Sequence, residues 1–368
     1  MKTIMMIGNH DLVLYNFRKE LIERFIEIGY KVIITCPHGN KTDKLIELGC
    51  EFIETKVNRH GLNLIQDLKL LKSYKVIMKK LEPDVVLTYT IKPNIYGGIA
   101  AKSLRIPYIS NITGLGSALE NRSVLQFFLI RLYKFSFSKV SRIYFQNQDN
   151  MDFFKINKLY ENKHFLLPGS GVNIAHFKYK KYPENNHLEF SFISRIMKEK
   201  GIELFLKLSK DIKSQFPNTL FHVCGFCEDD YVSILHEYEN NNFIIYHGMI
   251  EDIRSILARS NCVIHPTYYP EGLSNILLEA SATGRPVITT NRSGCKEAVI
   301  DNVTGYLVEP LNYDDLLIKT LEFIKLTFFE KEKMGQNARK FVVENFNRDI
   351  VVNSYVETIY KIFNEKNN

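Results

Sequence analysis

Short apolar runs alternate with longer stretches of helical periodicity along the first half of the chain. Apolar residues spaced three and four apart predict amphipathic helices, and the short apolar runs between them predict buried strands. The predicted strands are residues 3–7, 31–35, 52–55, 85–88, 108–111 and 142–146, and the predicted helices are residues 15–28, 41–48, 64–81, 94–104 and 123–137. Strands that alternate with helices indicate a parallel sheet covered on both faces.

The same pattern restarts in the second half. Strands are predicted at residues 189–194, 220–224, 242–247, 262–266, 286–290 and 305–308, with helices between them and a last helix at 348–364. We therefore expect an α/β protein with two Rossmann-like parallel-sheet domains, at residues 1–167 and 168–345. The terminal segment, residues 346–368, is expected to pack back on the first domain.

Composition and charge agree with a globular protein that meets an anionic partner. Of the 368 residues, 45% are hydrophobic and 24% are charged. Residues 1–167 hold 25 Lys or Arg and 15 Asp or Glu, a net charge of +10, which leaves −3 for the remainder. The basic half is expected to meet phosphate, nucleic acid or a membrane surface. No signal peptide and no apolar run of about 20 residues is evident, so a cytoplasmic location is expected.

Six scattered cysteines do not suggest a disulfide framework. Cys224 and Cys227 form a C-x-x-C, which could be a redox pair, half of a zinc site, or a strand-end cysteine followed by a loop cysteine. No second Cys/His pair lies at zinc spacing, so the sequence favours the third interpretation.

Two successive α/β domains suit either a dinucleotide-dependent dehydrogenase or a two-domain transferase. The dehydrogenase requires G-x-G-x-x-G after a strand. Only Gly8 follows the first strand, and Gly114 and Gly116 after a later strand are followed by Leu119 at the third position. The transferase interpretation is therefore favoured.

The most informative stretch is HPTYYPEGLSNILLEASATGRPVITT, residues 265–290. A strand ends at its start, and a helix begins near Ser274 and stops at Gly284. The N–H groups of this helix N-terminus suit a phosphate or a sugar hydroxyl. Glu271 and Glu279 are eight residues apart, about 80° from two full turns, so both can face one side. A solvent-exposed Glu279 is the alternative, but the helix around it is apolar.

Five segments resemble landmarks of the retaining glycosyltransferase family 4, which has the GT-B fold. The segment EGLSNILLEA at 271–280 resembles the E-x7-E signature of that family. The others, in order, are GSGVN at 169–173, SRIMKEKG at 194–201, YHG at 246–248 and NVTGYLV at 302–308. This resemblance covers essentially the whole second domain, and it implies two domains that face across a cleft, the first binding the acceptor and the second the nucleotide sugar.

The resemblance also implies roles for individual residues. Arg195 and Lys200 would hold and neutralise the diphosphate, Glu271 would position the transferred sugar, and Glu279 would bind the ribose; a solvated basic loop is the alternative for the two cations. The other donor-side candidates are Gly272, Leu273, Ser274, Asn275 and Gly248. No D-x-D ends a strand, since Asp229 and Asp230 lie in a polar loop, so no metal or other cofactor is expected.

On the acceptor side, ITGLGS at 112–117 and LYNFR at 14–18 resemble a subgroup that builds bacterial surface glycans. That subgroup extends undecaprenyl-diphosphate-linked sugars, often from N-acetylhexosamine or galactose donors. The acceptor-side candidates are His10, Asn111, Thr113, Gly114 and Gly116. Many family members carry a histidine near the reacting sugar after a first-domain strand. The corresponding stretch here has none, and His10 could either replace it or be structural.

A basic amphipathic helix is predicted within residues 121–142. Arg131, Lys134, Ser138 and Arg142 recur at spacings of three and four, and aromatic and aliphatic residues fill much of the rest. Such a helix could lie in an anionic membrane interface, or it could be a core helix with a solvated basic edge. No nucleic-acid reader motif accompanies it, so nucleic acid is not an expected partner.

Together these features predict a retaining transferase. It would move a hexose or N-acetylhexosamine from a UDP-sugar to a lipid-linked glycan for capsule, O-antigen or exopolysaccharide, on the inner face of the cell membrane. The alternatives are a GT-B sugar-nucleotide epimerase or hydrolase, and a non-catalytic sugar-nucleotide-binding subunit.

Overall fold

The computed structural model describes residues 1–58, 63–116, 119, 123–227 and 231–365. The chain divides into two compact units, which we call unit 1 (Met1–Gly171 with Arg348–Asn368) and unit 2 (Val172–Asn347). The boundaries expected from the sequence were 167/168 and 345/346. Each unit has its own parallel sheet, which confirms the predicted α/β class.

The described part of unit 1 forms a sheet of seven parallel strands in the order β3-β2-β1-β4-β5-β6-β7. Their central members are buried on both faces, which explains why they read as continuous apolar runs. The strands are β1 (Thr3–Ile7), β2 (Lys31–Cys36), β3 (Glu51–Glu54), β4 (Val85–Tyr89), β5 (Tyr108–Ile112), β6 (Arg142–Phe145) and β7 (His164–Leu166). The edge strand β7 was not predicted, because it has only three residues and two of them are exposed.

Helices cover both faces of this sheet. They are α1 (Asp11–Glu27), α2 (Thr42–Glu47), α3 (Leu64–Leu81), α4 (Gly98–Ser103), α5 (Val124–Ser136) and α6 (Gln148–Ile156). On one face of the sheet, α1 and α2 pack in one apolar cluster. On the other face, α3 to α6 pack in a second apolar cluster. The alternating topology therefore leaves the carboxyl ends of all the strands at one edge.

Two helices in the described part of unit 1 depart from the prediction by more than one residue or in helix type. Helix α1 begins at Asp11 rather than at residue 15, because His10 caps it by accepting the N–H of Leu12. The helix predicted at 94–104 is a π-helical turn (Pro93–Gly97) followed by α4. The Ser136 hydroxyl bonds the carbonyls of two residues of this turn, at 2.9 and 3.0 Å, which disturbs the regular α-helical ladder.

Among its described residues, unit 2 has six parallel strands in the order β10-β9-β8-β11-β12-β13. They are β8 (Glu189–Ile193), β9 (Leu220–Cys224), β10 (Ile245–Tyr246), β11 (Cys262–His265), β12 (Val287–Thr290) and β13 (Gly305–Val308). The helices are α7 (Ile202–Gln215), α8 (Val232–Asn240), α9 (Arg254–Arg259), α10 (Asn275–Thr283), α11 (Tyr313–Lys325) and α12 (Phe328–Asn345). Strand β10 is shorter than predicted because Asn242, with φ of +58°, still belongs to the turn that ends α8.

Arginine and histidine side chains surround the buried carboxylate of Glu189 and link β8 to β9. The carboxylate of Glu189, on β8, accepts hydrogen bonds from Arg259 at 2.5 Å and pairs with the rings of His222 at 3.0 Å and His187 at 2.9 Å. Burial alone would raise the pKa of Glu189, but these hydrogen bonds outweigh it and lower the pKa to about 2. The carboxylate therefore remains ionised in the folded protein.

The last helix, α13 (Arg348–Glu365), belongs to unit 1. Its apolar face joins the cluster formed by α1 and α2. The Asn111 side chain donates to the Tyr355 hydroxyl at 2.7 Å, and Arg348 pairs with Glu20 at 2.6 Å. Helix α13 is thus held by its apolar face and by polar contacts that include these two.

All six cysteines are free thiols. Cys224 is buried at the end of β9, and Cys227 is partly exposed in the loop after it. Within the described ranges, no group of three or more His, Cys, Asp or Glu side chains could hold a metal ion. Asp229 and Asp230 lie outside the described residues.

Candidate functional site

The strand order of unit 2 reverses between β8 and β11, so the loops after these two strands meet at the carboxyl edge of the sheet. The carbonyl of Glu199 accepts the Tyr268 N–H at 2.9 Å and the Thr267 hydroxyl at 3.1 Å. Gly201, with φ of +81°, permits this approach, because a Cβ atom there would lie 2.2 Å from the carbonyl oxygen of Pro266. These contacts join the two loops into one surface.

Three predicted site residues converge on this surface around the ring of Tyr269. The guanidinium carbon of Arg195 lies 5.3 Å from the ring centroid, and the Lys200 ammonium lies 4.9 Å from it. The same ammonium forms an ion pair with the Glu271 carboxylate. The side chains of Lys200 and Glu271 are 8% and 17% exposed, whereas Arg195 is exposed. Two cations and one carboxylate leave a net positive charge, which suits an anionic ligand.

Neutral side chains lie behind this charged group. His265 is fully buried, and neither ring nitrogen has a hydrogen-bond partner among the described residues. Burial lowers the pKa of His265 well below its usual value, and the charge of Lys200 lowers it further. Burial raises the pKa of Cys295 to about 12, with a contribution from Glu271. The charge at this surface therefore comes from Arg195, Lys200 and Glu271, and not from His265 or Cys295.

A third loop, after β12, holds Glu271 in place. Gly294 has φ of +86°, and a Cβ atom there would lie 2.6 Å from the Cβ of Glu271. The Gly294 carbonyl accepts the Ser274 N–H at 2.7 Å, and its own N–H donates to the Glu297 carboxylate at 2.7 Å. Sequence reasoning missed this loop and also Tyr269. The turn pattern SGCKE was a signal for the loop, but nothing local showed where it packs.

Helix α10 presents one partly open face to the site. Seven of its nine residues are buried, and the two exceptions, Asn275 and Glu279, are four residues apart and so share a face. Glu279 is half-buried on this face, and its contact with a ligand stays a prediction. Ser274, the N-cap residue, already donates its N–H to the Gly294 carbonyl. The backbone N–H groups of this helix that could donate to a ligand therefore begin at Asn275.

The other predicted donor-side residues have different surroundings. Leu273 is 4% exposed and its side chain packs in the core, so a ligand could reach only its backbone. Gly272 is buried beside it. Gly248 follows β10, and a Cβ atom there would meet nothing within 4 Å. Its carbonyl accepts the Gly225 N–H at 2.8 Å, which joins the loops after β9 and β10 at the same edge of the sheet.

The acceptor-side candidates all belong to unit 1. The ring nitrogen Nδ1 of His10 lies 2.5 Å from the buried Asp11 carboxylate, and the side chain is 27% exposed. Asn111 is only 1% exposed and its side chain donates a hydrogen bond to Tyr355, and its contact with the acceptor stays a prediction. The remaining three, which follow β5 and are half-buried, are Thr113, Gly114 and Gly116.

The exposed face of α5 combines apolar and basic side chains. Val124, Phe127 and Phe128 are 89%, 57% and 39% exposed, and Arg131 and Lys134 continue the same face. The opposite face, with Leu129 and Tyr133, is buried. The predicted alternatives for this helix were contact with an anionic membrane interface or a core helix with a solvated basic edge, and the exposure of Phe127 and Phe128 shows that the apolar side chains of α5 are not all in the core. Residues 121 and 122 lie outside the described residues.

None of the helices in the described part of the chain is both long enough and apolar enough to cross a bilayer.

Family models match both units. Residues 3–147 match the family described as "Glycosyl transferase 4-like", and residues 175–341 match "Glycosyl transferases group 1". The two matches correspond to the first and second halves of the chain. The second contains Arg195, Lys200, Glu271 and Glu279.

Named relatives and a solved structure agree with these matches. The chain is 27% identical over 365 residues, 94% of each chain, to the N,N'-diacetylbacillosaminyl-diphospho-undecaprenol alpha-1,3-N-acetylgalactosaminyltransferase of Campylobacter jejuni. It is 28% identical to the capsular polysaccharide biosynthesis glycosyltransferase CapM of Staphylococcus aureus, over 83% of each chain. Its fold matches that of Anabaena Alr3699/HepE in complex with UDP and glucose, with a TM-score of 0.80, 18% identity and coverage of 98% and 100% of the two chains.

Two parallel-sheet units, a charged group at the point where the second sheet reverses its strand order, and family matches to both halves lead to one assignment: the chain is a glycosyltransferase of the GT-B fold that belongs to the group 1 and 4-like glycosyltransferases.

Proposed function

We propose that this glycosyltransferase moves a hexose or N-acetylhexosamine from a UDP-sugar to a lipid-linked glycan in the synthesis of a bacterial surface polysaccharide. The relative from Campylobacter jejuni is named for an undecaprenol-linked acceptor, and CapM is named for capsule synthesis. The structural neighbour from Anabaena holds UDP and glucose. Capsule, O-antigen and exopolysaccharide remain the candidate products.

The observation that carries this proposal is the grouping of Arg195, Lys200 and Glu271 around Tyr269. The two cations would bind the diphosphate of the donor, Arg195 through its planar fork and Lys200 as a point charge. They would also stabilise the negative charge that develops on the diphosphate as the sugar leaves it. Glu271 would accept hydrogen bonds from sugar hydroxyls.

The reaction we propose retains the configuration at the anomeric carbon. The bond from this carbon to the diphosphate oxygen breaks, and its electron pair stays on that oxygen. The acceptor hydroxyl forms the new bond on the same face of the sugar, and its proton passes to the departing diphosphate. Arg195 and Lys200 would hold the diphosphate close enough to receive that proton.

The open face of α10 would bind the nucleoside. Glu279 can accept hydrogen bonds from both ribose hydroxyls, and Asn275 lies one turn nearer to the helix N-terminus. The backbone donors at that terminus would meet the diphosphate. Gly248, with open space above it, would leave room for a planar base.

We propose that two cationic side chains, rather than a metal ion, neutralise the diphosphate. Their position at the carboxyl edge of β8 and β11 supports this proposal. Transfer that continues unchanged after exhaustive chelation with EDTA would agree with it. Loss of transfer on chelation, restored by added Mg²⁺ or Mn²⁺, would contradict it.

We also propose that the protein works as a peripheral protein on the inner face of the cell membrane. The exposed face of α5 would place Phe127 and Phe128 in the interface and Arg131 and Lys134 near anionic headgroups. This arrangement would bring unit 1 to a membrane-embedded acceptor.

A panel of UDP-sugars incubated with extracted lipid-linked oligosaccharide, followed by mass spectrometry, tests the proposal. A mass increase of one hexose or N-acetylhexosamine on the lipid-linked glycan is expected with one donor. Turnover of donor without acceptor would indicate an epimerase or hydrolase instead. UDP binding without turnover under any condition would indicate a binding subunit.

A further inference from the structure

Helix α3 displays apolar side chains to solvent over its first turns. Leu64, Ile65 and Leu68 are 64%, 69% and 64% exposed. The opposite side of the helix is firmly attached, because Leu70, Tyr74 and Met78 are buried in the core. Single exposed aliphatic residues are ordinary on a protein surface, but three within two turns at the end of one helix form a patch.

A buried ionic contact fixes the orientation of this helix. The carboxylate of Asp67, 3% exposed, accepts hydrogen bonds from Lys92 at 2.8 Å and from the Tyr96 hydroxyl at 3.1 Å. Asp67 lies between Ile65 and Leu68 in sequence but on the opposite side of the helix. The exposed patch is therefore held outward by the packing of its own helix.

Basic side chains follow the apolar patch along the same exposed face. Lys69, Lys72, Lys75 and Lys79 are all exposed and recur at spacings of three and four. The stripe from residue 65 to residue 79 extends for about 21 Å along the helix axis. Helix α3 thus combines an apolar N-terminal tip with a basic face behind it.

Helix α5 has the same arrangement, and the fold places both helices on the same face of the sheet. Both helices also follow a strand, so both begin at the carboxyl edge. The π-helical turn and α4 contact both of them and lie between them. With about 8–10 Å between packed helix axes, the two apolar tips are separated by about 16–20 Å on one edge.

We infer that α3 is a second membrane-docking helix, and that unit 1 rests on an anionic bilayer through the tips of α3 and α5 together. This inference rests on the peripheral membrane location proposed above. Charge complementarity supports a lipid occupant, since both apolar tips are followed by lysine or arginine and no exposed carboxylate interrupts either stripe within the described parts of α3 and α5. Two contact points would also fix the orientation of unit 1 on the surface, which a single helix would leave free to rotate.

The test uses the full chain and sedimentation with vesicles of phosphatidylcholine alone or with 30% phosphatidylglycerol. The double variant Ile65→Ser/Leu68→Ser should bind the anionic vesicles at least tenfold more weakly, because two aliphatic side chains no longer leave water. The charge variant Lys72→Gln/Lys75→Gln should lose about fivefold per lysine on the anionic vesicles only. Phe329→Ser, which removes a 78% exposed side chain from unit 2, is the matched control and should bind normally.

Each outcome decides a different point. If the wild-type chain binds neither type of vesicle, the peripheral membrane location itself is wrong. If Phe127→Ser/Phe128→Ser weakens binding and Ile65→Ser/Leu68→Ser does not, α5 docks alone and the inference about α3 is wrong.

Two further measurements exclude other occupants of this surface. Transfer to a detergent-dispersed, short-chain acceptor should be unchanged in Ile65→Ser/Leu68→Ser, and an equal loss there would show that the patch is part of the acceptor site. Light scattering should give the same molar mass for this variant and the wild type. A wild-type dimer that the variant dissociates would show that a second copy of the chain covers the patch.

Discussion

The ion pair between Lys200 and Glu271 allows the catalytic and the structural contributions of these residues to be separated. Three variants form a double-mutant cycle, namely Lys200→Met, Glu271→Gln and the two combined. Each single variant leaves one charge in a largely buried position. The combined variant removes both charges while it preserves most of the side-chain volume.

The expected loss of stability follows from the exposure of the pair. Breaking a buried ion pair by removing one partner costs about 3–5 kcal/mol. Since the two side chains are 8% and 17% exposed, water solvates part of the remaining charge, and we expect about 2–3 kcal/mol. For a unit of this size, about 1 kcal/mol corresponds to a shift of about 2–4 °C, so each single variant should melt about 4–12 °C lower. The combined variant should recover most of that loss.

Turnover should behave differently from stability. Removing one preorganised group that stabilises developing negative charge lowers kcat by about 10²–10³. Lys200→Met should show this loss in transfer from the active UDP-sugar, and the combined variant should show it too. Scanning calorimetry gives the melting temperature, and mass spectrometry of the lipid-linked product gives the rate.

The decisive comparison is between the Lys200→Met single variant and the combined variant. Recovered stability without recovered turnover is the expected result. If Lys200→Met, still folded, transfers sugar within about threefold of the wild-type rate, Lys200 does not stabilise the departing diphosphate, because a loss of about 10²–10³ was required. If turnover recovers together with stability, the lysine acts only by supporting the fold.

Three other expectations concern packing, pH and thiol reactivity. Gly294→Ala should raise the KM for the donor, because its Cβ would displace Glu271, whereas Gly29→Ala, with a similar φ of +85° but nothing within 4 Å, should change only stability. Glu189→Gln should destabilise unit 2 by about 1–2 kcal/mol at pH 7, because the charge that it leaves unpaired, that of Arg259, is 47% exposed and solvated. Because its pKa is lowered to about 2 in the folded protein, the stabilisation is complete above the unfolded value of 4.5 and is lost as the pH falls from there toward 2. A thiol reagent at pH 8 should modify Cys227 in the native protein and all six cysteines after denaturation.

For each of these expectations, one result would contradict it. Equal donor KM values for the two alanine variants would mean that the loop after β12 does not position the sugar-binding carboxylate. A gap in melting temperature that stays constant from pH 7 to pH 3 would contradict the ionised state of the buried glutamate. Failure of Cys227 to react until a reductant is added would indicate that it is oxidised and would favour the redox-pair interpretation of the C-x-x-C.

Local sequence patterns were sufficient for most secondary structure, and they were insufficient where tertiary contacts control a boundary. Strands β1 and β13 and helix α3 have the bounds that their apolar periodicity predicts. The helix at 94–104 divides because a serine hydroxyl from α5 bonds the carbonyls of its first turn. No local pattern contains that information, since the two segments are about 40 residues apart in sequence.

Which side of each helix is exposed to solvent also could not be predicted until the fold was known. The periodicity of α5 predicted an amphipathic helix, but two apolar sides were possible and only one could face the sheet. Packing of Leu129 and Tyr133 against the sheet leaves Phe127 and Phe128 exposed. The apolar tip of α3 was not recognised from sequence at all, because a partly apolar helix with lysines is equally compatible with burial.

By itself, the sequence determined that two parallel α/β sheets form and that Arg195, Lys200 and Glu271 follow strands, because strand and helix periods are local properties. It also carried the spacing that resembles known glycosyltransferases. Only the tertiary structure decided that Lys200 pairs with Glu271, 71 residues away, over the ring of Tyr269. The physical reason is that the carboxyl ends of neighbouring parallel strands bring distant loops together, and glycines at 201 and 294 allow those loops to approach closely enough for their side chains to meet.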